Sequence, residues 1–125
     1  MKRKFLACIS IVLLICMLCG CGFSLDSSAE KLESKGYTVN KYDAQLIEEM
    51  QNQMIYGFGG KGKIINAFSA VKEEENVVEI EFENRSDLEV IYREMNRGVS
   101  KPEKIDLNGN ILAYGTEKAV KLALK

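Results

Sequence analysis

Histidine and tryptophan are absent from the 125 residues, proline occurs once, at Pro102, and cysteine occurs only at Cys8, Cys16, Cys19 and Cys21. Without imidazole, Ser-His-Asp and Cys-His nucleophile pairs are excluded, and so is any general-base step that relies on histidine. Zinc, copper and haem sites lose their commonest ligand as well. Neither sign of charge dominates, with 17 basic against 18 acidic side chains. The chain shows no internal repeat, no low-complexity tract and no compositional break that would divide two domains.

Long apolar runs are also missing. The longest uncharged one, residues 5–18, is about 14 residues, short of the roughly 20 needed to span a bilayer. It follows Lys2, Arg3 and Lys4 and precedes small residues, the three-part layout of a secretory signal peptide. At its end, Leu18, Cys19, Gly20 and Cys21 resemble the bacterial lipobox, in which a small residue precedes an obligatory cysteine. The resemblance covers the first 21 residues. It implies cleavage after Gly20 and a diacylglyceryl thioether on Cys21, which becomes the mature N-terminus. Two acyl chains on one residue anchor stably where a single chain binds only marginally. The expected location is the outward face of a cell membrane, anchored to the bilayer by lipid without spanning it.

On this reading residues 1–20 are the signal peptide, 21–28 a lipidated tether and 29–125 a single α+β domain. Removal of residues 1–20 takes three basic side chains with it and leaves 14 against 18 acidic ones, a net charge of −4. That balance argues against nucleic acid and anionic headgroups as partners. Because every other cysteine lies in the signal segment, the exported domain has neither a disulfide nor a free thiol nucleophile.

Ser27 and Glu30 have capping-box spacing and predict a helix over 28–35, ended by Gly36. Residues 37–42 read as a strand. Asp43 caps a helix whose apolar face carries Leu46, Ile47, Met50 and Met54, and the glycines at 57, 59, 60 and 62 stop it. Residues 63–71 read as a strand, "KEEEN" as a charged turn, and "VVEIEFE" as a strand in strict alternation. Val78, Ile80 and Phe82 are expected on one face and Glu79, Glu81 and Glu83 on the other, which predicts a sheet with one wet face. Ser86 and Glu89 form a second capping box before a helix built on Leu88, Ile91, Tyr92 and Met95. Asn108-Gly109 predicts a hairpin turn. Thr116 caps a last helix with Ala119, Val120, Ala123 and Leu124 facing inward.

The order β-α-β-β-α-β over residues 37–114 resembles the ferredoxin-like split β-α-β arrangement, an antiparallel sheet with helices packed on one face, here with an extra N-terminal and C-terminal helix. The resemblance implies no activity, because that fold hosts many.

Three patterns invite a chemical reading. "IYGFGGKGKI" matches G-x-G-x-x-G and nearly completes G-x-x-x-x-G-K-[ST], with Ile64 in place of the hydroxyl residue. Phosphate cradles of both kinds need the glycines to follow a strand and open a helix. Here a helix precedes them and a strand follows, so neither nucleotide nor any other cofactor is expected. What remains is a candidate contact loop presenting Tyr56, Phe58, Lys61 and Lys63 to a glycan, a peptide carboxylate or a partner protein, or else a turn in which Phe58 covers the core edge. Ser69 and Lys72 match S-x-x-K by chance, since Ser69 falls in a strand and the companion motifs are absent. The glutamates at 73, 74, 75, 79, 81 and 83 lack the aspartates and glycine of a calcium loop and read as a solvated face that discourages edge pairing. A metal site is not expected.

These readings converge on a non-catalytic binding or accessory module of the bacterial cell envelope. Membrane lipid is engaged through diacylglyceryl-Cys21, and an envelope protein or a cell-wall component is the candidate partner. The competing reading is a small carboxylate-dependent envelope hydrolase.

Overall fold

The computed structural model describes residues 24–57, 62–98 and 103–125. Cys21 and the expected signal peptide lie outside the described residues, as do Phe58 and Lys61 of the candidate loop.

The first helix, α1, spans Leu25–Ser34, and its cap is Ser24, whose side chain accepts from the Ser27 amide at 3.1 Å. The sequence offered Ser27 as the cap, three residues later. Leu25, Ser28, Ala29 and Leu32 form one buried stripe, and burying Leu25 selects the earlier serine. Residues 25–28, expected in the tether, therefore belong to the domain. Strand β1 (Thr38–Lys41) is followed by α2 (Ala44–Gly57), capped as expected by Asp43, whose carboxylate accepts from the Leu46 amide at 2.8 Å.

Strands β2 (Ile64–Lys72) and β3 (Glu75–Phe82) form a hairpin across a two-residue loop, Glu73 and Glu74, in which Glu73 takes φ 55°. Helix α3 (Arg85–Gly98) starts one residue before the expected serine, because Asn84 takes the cap and accepts from both the amide and the hydroxyl of Ser86. Strands β4 (Glu103–Asn108) and β5 (Ile111–Thr116) form the second hairpin. Its turn is shifted by one residue from the expected Asn108-Gly109. Asn108 pairs with Ile111, the loop is Gly109 and Asn110, and of these only Gly109 has positive φ, at 61°. That pattern, glycine first, also matches strand twist. The chain closes with α4 (Glu117–Ala123).

The five strands form one antiparallel sheet in the order β1-β2-β3-β5-β4. The architecture is α+β of the ferredoxin-like type. Its split β-α-β unit is β3-α3-β4, with β5 inserted between the two strands it connects. Helices α2 and α3 cover one face, where Ile64, Ile80, Phe82, Leu88, Ile91 and Leu112 form a core of large side chains. The terminal helices α1 and α4 cover the other. The wet face predicted from the alternation of β3 is thus not wet. Glu79 is fully buried, and Glu81 is half-buried. The alternation was read correctly as two faces, but the helices at the chain ends needed a sheet surface, and the middle helices had already taken the first.

Candidate functional site

Of the candidate loop, only the Lys63 side chain lies among the described ones. It is exposed, with Nζ 3.7 Å from Glu83 Oε2, and its carbonyl accepts from the Glu83 amide at 2.9 Å. Gln51 of α2 accepts from the Ile64 amide at 3.1 Å. The base of the loop is therefore tied to α2 and to the end of β3. Tyr56 belongs to the last turn of α2 by its backbone. The structure does not bring the four loop residues together as a described group.

A groove opens at the other end of the sheet, where the C-terminal end of α1, the β2-β3 turn and the start of α4 meet. It holds about 390 Å³, small for a ligand pocket, and is lined by Lys35, Tyr37, Lys72, Glu73, Glu75 and Lys118 among others. Lys72 bridges its floor, with Nζ donating to the Lys35 carbonyl at 2.7 Å and lying 5.9 Å from the centre of the Tyr37 ring. Burial raises the pKa of the Tyr37 phenol, and the nearby Glu75 carboxylate raises it further. The Thr116 hydroxyl donates to Glu75 at 2.6 Å and accepts from the Asn76 amide at 3.1 Å. That engagement explains why Thr116 caps α4 by position without a side-chain cap bond. Among the described residues, Lys35 and Lys118 have no ion-pair partner. Three lysines and two glutamates line the groove beside Tyr37, a mixed-charge lining suited to a zwitterionic or hydrogen-bonding surface rather than to a simple anion.

The least expected constellation lies under α1 and α4. Glu79, on the central strand β3, has no exposed surface, and Ser28 of α1 is equally buried. Ser28 Oγ sits 2.6 Å from Glu79 Oε2 and 2.9 Å from the carbonyl oxygen of Ala123 in α4. Glu79 Oε1 has no hydrogen-bond partner among the described residues. Burial raises the Glu79 pKa from 4.5 to about 7, against the smaller opposing effects of the Ser28 hydrogen bond and the charge of Lys31. Sequence reasoning missed this residue because strict alternation placed it with the solvated glutamates. The available signal was the inward run of Ala119, Val120 and Ala123 on α4, whose small side chains require close approach to a surface that the strand pattern had assigned to water. The remaining glutamates do not converge. Among the described residues, no group of three or more carboxylates is placed to hold a metal ion.

In comparison with known proteins, the chain matches no family model, no curated protein and no solved structure.

Proposed function

We propose that the chain is a membrane-anchored lipoprotein whose α+β domain acts as a non-catalytic binding or accessory module of the bacterial cell envelope. The observation that carries this reading is where α1 begins. Only three residues separate Cys21 from Leu25, the first residue of a helix docked on the sheet. Covalent geometry limits that link to about 14 Å, so a lipid on Cys21 holds the domain directly at the bilayer surface. From Leu25, α1 rises roughly 15 Å toward Lys35. The groove around Tyr37, at the C-terminal end of α1, is the first proposed surface for an envelope protein or cell-wall component.

The non-catalytic reading is supported by the placement of Glu79. It is the carboxyl whose pKa best suits acid catalysis, and it is sealed beneath two helices. The loop carrying Tyr56, Phe58, Lys61 and Lys63 is the second proposed contact surface.

Cys21→Ala is expected to release the protein from membranes or leave it as an uncleaved precursor, read by fractionation and intact mass. Processed, membrane-bound mutant protein would refute the anchor. Cross-linking in native envelopes with the pairs Lys35→Glu with Lys118→Glu, and Phe58→Ala with Lys61→Ala, assigns the contact surface. Partners unchanged by both pairs would remove both surfaces from consideration.

A further inference from the structure

We infer that Glu79 is a proton-operated latch on the N-terminal helix: as the neutral acid it holds α1 on the sheet, and as the carboxylate it lets α1 go. The first support is a count of protons. A serine hydroxyl has one hydrogen to give, yet Ser28 Oγ lies within bonding distance of both Glu79 Oε2 and the Ala123 carbonyl. When Glu79 is neutral, its hydroxyl donates to Ser28 Oγ, and Ser28 donates onward to Ala123. Both short contacts are then satisfied in a chain from β3 through α1 to α4. When Glu79 is ionised, two acceptors compete for one hydrogen. Ser28 then gives its hydrogen to the anion, which offsets part of the cost of burying it, and the Ala123 carbonyl loses that donor, while Oε1 has no partner among the described residues.

The charged groups around the latch do not offset that loss. From α1, Lys31 is the one whose field reaches Glu79 and favours its charged form, but Lys31 Nζ donates to the main-chain oxygen of Lys125 at 2.6 Å. The Lys125 charge in turn opposes that of Lys31. The neighbours of Glu79 across the sheet are Phe68 on β2 and Ala113 on β5, and the buried residues of α4 are Ala119, Val120 and Ala123. None of these carries charge.

The topology decides which element moves. β3 is paired on both sides, so Glu79 cannot leave the sheet without breaking it. Helix α1 has ten residues and a single covalent connection to the rest of the described domain, through Lys35 and Gly36. A helix that short is not stable in water, so an undocked α1 melts. If Cys21 carries lipid, melting adds these ten residues to the tether, a gain in reach of up to about 30 Å. This consequence rests on the lipoprotein reading, whereas the latch itself does not.

Hydrogen exchange of the full chain, corrected for the intrinsic pH dependence of exchange, provides the test. As the pKa rises from 4.5 to about 7 on folding, protection of the α1 amides should fall by up to roughly 150-fold between pH 4.5 and 8, while β2 and β3 keep theirs. In Glu79→Gln, α1 protection should stay at its acid level throughout. In the unmutated chain, the Glu79 side-chain carbonyl carbon, followed by NMR, should titrate together with α1 exchange. Constant α1 protection while Glu79 ionises would overturn the latch, as would the same pH profile in Glu79→Gln. Should the variant not fold, the two wild-type titrations decide alone. Because exchange is read on α1 whether or not Cys21 is lipidated, failure of the latch is distinguishable from failure of the anchor.

Discussion

The two faces of the sheet share an apolar core but differ in how many small side chains they bury and in whether they bury an acid. Under α2 and α3 lie isoleucine, leucine and phenylalanine, with partly buried tyrosines and methionines around them. Under α1 and α4, Leu25, Leu32, Phe68 and Ile111 are interleaved with Ala29, Ala70, Ala113, Ala119 and Ala123, and a hydrogen-bonded acid is buried on the same face. Large side chains gain stability from apolar area removed from water. Small ones gain less per residue, but they let helices approach closely enough for a serine to bridge a strand and a neighbouring helix. The first face is therefore expected to be insensitive to pH, and the second to be conditional on it.

The largest effect should come from breaking the apolar face. Phe82 is fully buried, and Phe82→Ala should cost about 3–5 kcal/mol in urea unfolding, equally at acid and neutral pH. Next comes the polar face. A folded pKa near 7 against 4.5 when unfolded means that the folded chain holds a proton that the unfolded chain has released. The stability contributed by the neutral acid is present in full below pH 4.5, falls as pH rises through about 7, and changes no further above it. The loss amounts to at most about 3 kcal/mol. Midpoints measured at pH 4.5 and 8 should differ in the unmutated chain and converge in Glu79→Gln. If the difference persists in the variant, the contrast between the faces lies elsewhere. The smallest effect is expected away from both cores. Glu73 holds φ 55° without being glycine, and Glu73→Gly should raise stability by up to about 1 kcal/mol at either pH. A destabilised Glu73→Gly would mean that the side chain contributes more to the turn than its backbone strain costs.

Much of the fold was legible because local rules act over short distances. Asp43 capped the helix it was expected to cap, the apolar spacing of Leu88 and Ile91 placed α3, and the alternation of β3 separated Ile80 and Phe82 from the glutamates. Errors of one to three residues arose where two residues could serve the same role. Ser24 displaced Ser27, Asn84 displaced Ser86, and the second hairpin turned on Gly109 and Asn110. In each case the local chemistry permitted either choice, and packing or strand register selected between them. The groove was not legible, because Lys35, Lys72 and Lys118 are far apart in sequence and meet only where three elements end together.

By itself the sequence determined the element types and the two-faced character of the central strand. It also excluded imidazole chemistry throughout and disulfide chemistry in the described residues, where cysteine is absent. What only the tertiary structure decided is that neither of those faces meets water. A period of two separates the sides of a strand, but it carries no information about what will cover each side. With both terminal helices folded back over the second face, Glu79 passes from a solvated surface to the interior. There, loss of hydration turns an ordinary carboxylate into an acid that holds its proton near neutral pH.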